Sequence, residues 1–281
     1  MIIFANGELV PAEKAKVSAI DHGFLYGIGL FETMRVYNNR IFLWSEHYKR
    51  LMAGLDALRI SATWTEQELL DSINRTLVAN RLTDAYVRLS ITGGQEGVGL
   101  VGVEYANPSL FVYVKPVAPV AEPPKGKQLV SVSIPRQTAE GAFRFKSHNY
   151  LNNALAKLEV GPDPKVEGLF LTQDGYVCEG IVSNVFWVRN GKLYTPSVAT
   201  GLLNGITRQH VLTLAEELNL PWEEGLFLLS SLTAAEEAFL TNSVQEIIPV
   251  NQVDGVPLAQ DYGPITKALR LAYRRSVALY K

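Results

Sequence analysis

The sequence is poor in several residue types, and each shortage excludes a class of protein. Its 281 residues include a single cysteine, Cys178, so no disulfide can form within one chain and a reducing compartment is expected. Lysine and arginine number 26 against 28 acidic residues, so no basic excess indicates binding to nucleic acid or to an anionic membrane. The four histidines are scattered without cysteine partners or a metal-ligand spacing.

Long apolar runs are also missing. No stretch approaches the roughly 20 apolar residues that span a bilayer, and the first residues, MIIFANGELVPAEK, lack the basic start and apolar core of a signal peptide. We therefore expect a soluble, cytoplasmic protein. Hydrophobic residues make up 47% and charged residues 19%, which is typical of a folded chain with a substantial core.

A proline-rich stretch divides the chain. Between Lys115 and Lys127 the sequence KPVAPVAEPPKGK contains four prolines, which favour an extended connector over a helix or a central strand. We predict a small α+β domain over residues 1–115, a linker over 116–127 and a larger second domain over 128–281.

Local patterns predict the elements of the first domain. Turn residues at Asn6-Gly7 and at positions 37–40 separate strand-like stretches and predict two hairpins. Two amphipathic helices follow, the first with Ser45 as its N-cap and the second with a capping box of Thr65 and Glu68. Two further strands enclose a glycine-rich loop, so this half is α+β.

The second domain is richer in strands. Hairpin turns are predicted at Asp174-Gly175 and Asn190-Gly191, an amphipathic helix near Ile206, and a closing helix from Pro264. Because strands and helices do not alternate regularly, a doubly wound parallel sheet is not expected.

Lys146 lies between a predicted strand and a predicted helix, in GAFRFKSHNYLNN. Taken alone it is either a solvated cation or an amine set at the edge of a sheet for chemistry. An amine forms a Schiff base only when it is neutral, and a lysine is kept neutral by burial or by a nearby cation. Phe143 and Phe145 are candidates for the first effect and Arg144 for the second.

Glu179 is a carboxylate in an otherwise apolar strand, YVCEGIVSNVFW. A carboxylate is costly to bury without a partner, so Glu179 is either exposed at the rim or paired with a protonated group. One such group is the ring nitrogen of pyridoxal phosphate, which the protein tunes as an electron sink.

Two segments offer donors for a phosphate. In GLLNGITRQHV, glycines precede a helix that begins near Ile206 and Thr207, where free amides and the helix dipole favour an anion. Thr207 is alternatively an N-cap. In TNSVQEIIP, Asn242 and Ser243 end a strand and offer amide and hydroxyl donors. A further candidate is Arg50 in EHYKRL, which is either a solvated helix residue or a bidentate phosphate ligand.

Taken together and in order, these segments resemble fold-type IV pyridoxal-phosphate enzymes over nearly the whole chain. The family includes branched-chain aminotransferases, D-amino-acid aminotransferases and aminodeoxychorismate lyases. The segments are DHGFLYGIGLFETMRV, EHYKRL, FKSHNYLNN, EGIVSNVFWV, GLLNGITR and LTNSVQEIIPV.

The resemblance implies a fold, a cofactor and residue roles. It implies a two-domain, mixed α+β and α/β fold of the D-amino-acid aminotransferase type, pyridoxal 5′-phosphate, and a homodimer. Lys146 corresponds to the Schiff-base lysine, Glu179 to the partner of the pyridine nitrogen, and Leu203 to the residue that packs on the ring. Tyr150 matches a tyrosine near the phenolic oxygen only after a one-residue gap. The predicted phosphate ligands are Arg50, Ile206, Thr207 and Ser243, with Asn242 as a further donor.

Three departures narrow the choice within the family, two from the branched-chain pattern and one from the D-amino-acid aminotransferase pattern. Residues 31–35 are FETMR where branched-chain enzymes resemble FEGIR, and Arg88 is followed by leucine rather than proline. The loop at 92–97 lacks the arginine with which D-amino-acid aminotransferases hold the substrate carboxylate. The pattern is most similar to Bacillus-type aminodeoxychorismate lyases, which convert 4-amino-4-deoxychorismate to 4-aminobenzoate and pyruvate for folate synthesis.

That reaction assigns roles to a few side chains. Lys146 is predicted to act as nucleophile and then as general base, and Thr33 as a proton relay to the leaving group unless it is simply a strand residue. The substrate has two carboxylates, and the unranked candidate cations are Arg35, Arg88, Arg136 and Arg144. The alternatives are an aminotransferase of the same fold, or a catalytically silent cofactor carrier, which would need neither Lys146 nor Glu179.

Overall fold

The structure is a computed structural model that describes residues 1–280, and it divides into two compact units. Within the described chain, the first unit comprises residues 1–118 and Phe145–Asn149, and the second comprises Pro119–Arg144 and Tyr150–Tyr280. The segment around Lys146 thus differs from its predicted place in the second domain. The reason is that backbone hydrogen bonds join it to a strand of the first unit.

The predicted linker is also shorter at both ends than 116–127. Pro116 is the last residue of a strand in the first unit, and Lys127 is the first residue of a strand in the second.

In the first unit, the strands and helices follow the order of the chain. They are β1 (Ile2–Ala5), β2 (Glu8–Pro11), α1 (His22–Tyr26), β3 (Gly29–Tyr37), β4 (Arg40–Ile41), α2 (Trp44–Ala57), α3 (Glu66–Asn80), β5 (Ala85–Thr92) and β6 (Ser109–Pro116).

These strands form an antiparallel sheet in the order β2-β1-β6-β5-β3-β4. Successive residues of a strand point to opposite faces. One face carries Leu30, Met34 and Val36 of β3, which join residues of α2 and α3 such as Leu51 and Ile73 in a buried apolar cluster. The opposite face therefore carries Phe31, Thr33 and Arg35.

The helices test two capping predictions. Thr65 accepts from the Glu68 amide and the Glu68 side chain accepts from the Thr65 amide, so the predicted capping box of α3 is confirmed. The Ser45 N-cap was wrong, because α2 begins at Trp44 after Leu43. The N-cap is Leu43, two residues before Ser45, and its left-handed backbone (φ 57°) turns the chain there, so Ser45 lies in the first helical turn.

The second unit contains most of the strands and the longest helix. Its elements are β7 (Lys127–Ser131), α4 (Leu151–Val160), β8 (Val166–Leu171), β9 (Val177–Gly180), β10 (Asn184–Arg189), β11 (Lys192–Pro196), α5 (Ile206–Glu217), β12 (Trp222–Gly225), α6 (Leu229–Thr233), β13 (Glu237–Asn242), β14 (Glu246–Val253), β15 (Val256–Pro257) and α7 (Pro264–Leu279).

Its sheet is mixed. The strand order is β12-β11-β10-β13-β14-β7-β8-β9, with β15 paired to β14. The pairs β11-β12, β14-β7 and β7-β8 are parallel and the other pairs are antiparallel. The predicted turns at Asp174-Gly175 and Asn190-Gly191, and the helix starts at Ile206 and Pro264, are confirmed.

Across residues 1–280, every helix is too short or too polar to cross a bilayer.

Candidate active site

Lys146 is attached to β3 by backbone hydrogen bonds. Its carbonyl accepts from the Phe31 amide at 2.9 Å, and the His148 amide donates to the Gly29 carbonyl at 3.0 Å. The lysine Nζ lies 4.5 Å from the centre of the Phe31 ring. Phe31 was not predicted, although its place in FETMR was a signal that pointed to this strand. The backbone anchors and the ring together restrict where the amine can lie.

Thr33 and Arg88 share the sheet face of Phe31. Thr33 of β3 pairs in register with Arg88 of β5, and both side chains are half-buried. The Arg88 guanidinium stacks 3.6 Å from the centre of the Phe31 ring, and its Nε donates to Ser90 Oγ at 3.1 Å. The Phe31 ring thus contacts both the Lys146 amine and the Arg88 guanidinium, and Phe31 lies two residues before Thr33 on β3.

His148 packs against the same ring. Its imidazole stacks on Phe31 with 6.0 Å between ring centres. Burial, followed by the charge of Arg88, lowers the pKa of His148 to about 4. The ring is therefore neutral at pH 7 and adds no charge beside the lysine.

A second group lies on the opposite face of β3. Glu32 accepts from Arg50 twice, from Nε at 2.8 Å and from a terminal nitrogen at 2.6 Å, and its Oε2 lies 2.6 Å from His47 Nδ1. His47 and Arg50 are three residues apart on α2 and so point the same way. The bidentate pairing predicted between Arg50 and a phosphate is made here with Glu32. A carboxylate in an apolar strand was the signal that identified Glu179, and it would have identified Glu32 too.

Glu32 is fully ionised at neutral pH. Burial alone would raise its pKa, but the Arg50 charge and the hydrogen bonds from its two partners outweigh this and lower the pKa to about 2. Burial also lowers the pKa of His47, despite the opposing effect of Glu32. We therefore take His47 as neutral at pH 7 and Arg50 as the cation that compensates Glu32.

This pairing predicts an acid-dependent loss of stability. Because the folded-state pKa of Glu32 is lowered from 4.5 to about 2, its ionised form stabilises the fold above pH 4.5, and this contribution is lost as the pH falls toward 2. The contribution is worth up to about 3 kcal/mol. Glu32→Gln should lack it, so the two free energies of unfolding should converge in acid. Urea unfolding between pH 3 and pH 7 measures this.

The matched control is Glu46→Gln, which replaces an exposed glutamate of α2. It should follow the pH dependence of the unchanged protein. If Glu32→Gln does the same, Glu32 is not the group responsible.

Glu179 is buried in the second unit and has two partners there. Its Oε1 accepts from Arg136 Nε at 2.8 Å, and its Oε2 accepts from the Leu203 amide at 3.0 Å. Of the two predicted alternatives, the exposed rim residue is wrong, because the arginine supplies the countercharge that burial requires. Sequence reasoning missed this pairing because Arg136 is 43 residues away and nothing local connects the two.

Arg136 is itself held by two buried asparagines. Its Nη1 donates to Asn152 at 2.8 Å and to Asn153 at 3.2 Å. Next to Glu179, burial raises the pKa of the Cys178 thiol to about 12, and the Glu179 charge adds to this effect. Cys178 therefore stays protonated and is not a nucleophile.

The first turn of α5 is suited to an anion. Its N-cap is Gly205, which has no side chain to accept from the first-turn amides, and Ile206 and Thr207 are buried. Thr207 Oγ1 donates to Ser243 Oγ at 3.4 Å. The alternative of Thr207 as the N-cap is wrong, because Thr207 is the second residue of the helix. The structure thus brings two predicted phosphate ligands together at a helix N-terminus.

The remaining predicted residues have other surroundings. The side-chain oxygen Oδ1 of Asn242 accepts from the amides of Val244 and Gln245 at 3.0 and 2.8 Å, so this side chain stabilises a turn. Leu203 is half-buried, and its amide is the donor to Glu179. Tyr150 is the exposed N-cap of α4.

Comparison with known proteins identifies the family. Residues 29–253 match the family described as amino-transferase class IV. The chain belongs to this family. Aminodeoxychorismate lyase of Bacillus subtilis (strain 168) is 43% identical over 280 residues, which cover 98% of this chain and 94% of that protein. D-alanine aminotransferase of Bacillus licheniformis is 31% identical over 285 residues, which cover 99% and 97%.

Solved structures of class IV aminotransferases confirm the predicted fold class. The branched-chain aminotransferase of Thermobaculum terrenum in its PLP form has a TM-score of 0.87 at 30% identity, covering 100% of this chain and 94% of that one. The cofactor of this family is pyridoxal 5′-phosphate, as predicted for this chain. Three features fit it: an amine held on an aromatic ring at Lys146, a buried carboxylate at Glu179, and the amide-rich start of α5.

Proposed function

We propose that this class IV enzyme is a 4-amino-4-deoxychorismate lyase, which eliminates pyruvate to give 4-aminobenzoate. The observation that carries the proposal is the group formed by Lys146, Phe31, Thr33 and Arg88 on one face of the first sheet. The group combines an amine, an aromatic surface, a hydroxyl and a cation, which suits a ring-shaped anionic substrate. The 43% identity to the lyase of Bacillus subtilis supports it.

The proposed residue roles follow from these contacts. Lys146 would hold the cofactor covalently through its amine, and Glu179 would accept a hydrogen bond from the pyridine nitrogen. Leu203 would pack on the cofactor ring, and Tyr150 would bind near the phenolic oxygen. The proposed phosphate ligands are Ile206, Thr207, Asn242 and Ser243, together with Arg50, which would bind the phosphate while also pairing with Glu32.

Bound pyridoxal phosphate supplies an electron sink at the carbon that bears the substrate amine. The Lys146 amine would act as the base that removes the proton from that carbon. The C–O bond on the adjacent ring carbon then breaks, and its electron pair leaves on oxygen. Thr33 would relay the proton held by Lys146 to this oxygen, and the ring becomes aromatic. The released enol tautomerises to pyruvate, so 4-aminobenzoate and pyruvate together contain every atom of the substrate.

Arg88 is the best of the four candidate arginines for a substrate carboxylate. Arg136 is committed to Glu179, and Arg144 donates to the carbonyls of Gln137 and Gly201. Arg35 is buried and donates to the carbonyl of Ala118. The Arg88 guanidinium, by contrast, is half-buried on the Phe31 ring, and residues 1–280 offer its terminal nitrogens no hydrogen-bond acceptor. A bidentate carboxylate fits there.

An aminotransferase is the competing function, since relatives with that activity are 30% and 31% identical. An aminotransferase needs a keto acid to regenerate its cofactor, whereas an eliminating lyase does not. We expect equal amounts of 4-aminobenzoate and pyruvate from aminodeoxychorismate with no keto acid added. With D-alanine or leucine plus 2-oxoglutarate, kcat/KM for glutamate formation should be at least about tenfold lower, which is roughly 1.4 kcal/mol in transition-state stabilisation.

Both arms use one holoenzyme preparation with equal cofactor content. Omitting 2-oxoglutarate from the amino-acid arm measures the half-reaction alone. A higher kcat/KM for an amino acid than for aminodeoxychorismate would reject the lyase and leave the family and cofactor in place.

We further propose a cytoplasmic homodimer. The compartment is supported by the single, buried Cys178, which suits a reducing environment. Light scattering of the holoenzyme should give twice the chain mass of 31.0 kDa, and a single-chain mass would reject the dimer.

A further inference from the structure

A buried ion pair in the second unit lies outside the chemistry described above. Lys127 begins β7 and Glu167 belongs to β8, the neighbouring parallel strand. Lys127 Nζ donates to Glu167 Oε2 at 3.2 Å, and the side chains are only 12% and 7% exposed. The other Glu167 oxygen accepts from the Val182 amide and from Ser183 Oγ, both at 3.1 Å.

Lys127 has a second contact, which leads to the turn after β13. Its Nζ donates to Gln245 Oε1 at 3.3 Å, and the same oxygen accepts from Asn242 Nδ2 at 3.2 Å. Asn242 in turn accepts from the amides of Val244 and Gln245. Residues 242–245 thus form a turn that is stabilised by the side chains of Asn242 and Gln245. Lys127 connects this turn to β7 through its hydrogen bond to Gln245.

Ser243 lies within this turn. Its Oγ accepts from Thr207 Oγ1 of α5 at 3.4 Å, so the position of the turn decides where the serine hydroxyl lies relative to the first turn of the helix. A buried ion pair is a poor source of net stability, because burying both charges offsets their attraction. The Lys127–Glu167 pair can instead fix the position of the turn at residues 242–245.

We propose that Lys127 is a positioning residue, which acts through Gln245 to hold the turn 242–245 so that Ser243 faces the cofactor phosphate. This inference rests on the proposed assignment of Thr207 and Ser243 to the phosphate. It extends the cofactor site to a lysine that contacts neither of those hydroxyls.

The test separates phosphate binding from general stability. The full-length chain freed of cofactor is titrated with pyridoxal phosphate and, separately, with pyridoxal, which lacks the phosphate. Lys127→Met should weaken binding of pyridoxal phosphate about tenfold, or about 1.4 kcal/mol, and leave pyridoxal affinity unchanged. Gln245→Met should give the same selective loss without stranding a buried charge. The double variant should lose no more than either single variant, because both interrupt one connection.

Lys192→Met is the matched control, since Lys192 belongs to the same sheet and pairs with Glu223 at 2.6 Å on the surface. It should leave both affinities unchanged. Equal weakening of the two ligands by Lys127→Met and Gln245→Met, or no weakening, would overturn the inference, as would additive losses in the double variant.

A Thr207→Ala/Ser243→Ala variant separates the phosphate assignment of these two residues from the positioning role of Lys127. If it shows no selective loss of pyridoxal phosphate, the phosphate assignment itself is wrong and the role of Lys127 falls with it. If it shows that loss while the Lys127 and Gln245 variants do not, only the role of Lys127 is rejected.

Discussion

Lys146→Ala is expected to lower kcat by a factor on the order of 10⁴, because one amine is proposed to bond the cofactor and to move the substrate proton. The backbone of Lys146 is held by Phe31 and its neighbours independently of the side chain, so the variant should fold. Steady-state kinetics with aminodeoxychorismate measure the loss. Added ethylamine should restore part of it, since a small amine can replace the missing base and cannot repair a folding defect.

Chemical trapping identifies the lysine directly. Borohydride reduction of the holoenzyme should fix the cofactor to the peptide that contains Lys146, as read by mass spectrometry. Lys157→Ala is the control, because Lys157 is an exposed lysine of α4, and this variant should keep full activity. An adduct on Lys157 or Lys165 would disprove the assignment.

Glu179→Gln should produce the second largest effect, a fall in kcat on the order of 10² to 10³ with cofactor still bound. Both carboxylate oxygens accept hydrogen bonds, one from Arg136 and one from the Leu203 amide. Glutamine offers one oxygen and one NH₂ group, so either Arg136 or the Leu203 amide would face the NH₂ group and lose its acceptor. A neutral amide also cannot stabilise a protonated pyridine nitrogen.

The comparison variant is Glu223→Gln, which neutralises an exposed carboxylate of β12. Its kcat should match that of the unchanged enzyme. Cofactor content is measured by absorbance after denaturation, so that a loss of turnover is not confused with a loss of cofactor. A folded, cofactor-loaded Glu179→Gln enzyme with normal kcat would remove Glu179 from the proposed role.

Local sequence signals predicted the elements well where neighbouring residues decide the outcome. The capping box at Thr65 and Glu68 and the turn at Asn190-Gly191 involve groups within a few residues, so their chemistry can be read along the chain. The Ser45 cap failed because Leu43 adopts a left-handed backbone that no propensity favours. Trp44, the first residue of this helix, also donates a hydrogen bond from Nε1 to Glu66, which is 22 residues away in the sequence.

By itself, the sequence determined the family, the cofactor and the candidate lysine, because the order of motifs from FETMR to LTNSVQEIIPV is a property of the chain. The tertiary structure decided which side chains neutralise the buried charges. Arg136 meets Glu179, and Arg50 and His47 meet Glu32, across separations of 43, 18 and 15 residues. The sequence can indicate that a buried carboxylate has a partner, because burying an unpaired charge costs free energy. Which cation arrives depends on strand register and on helix packing, and these form only when the chain has folded.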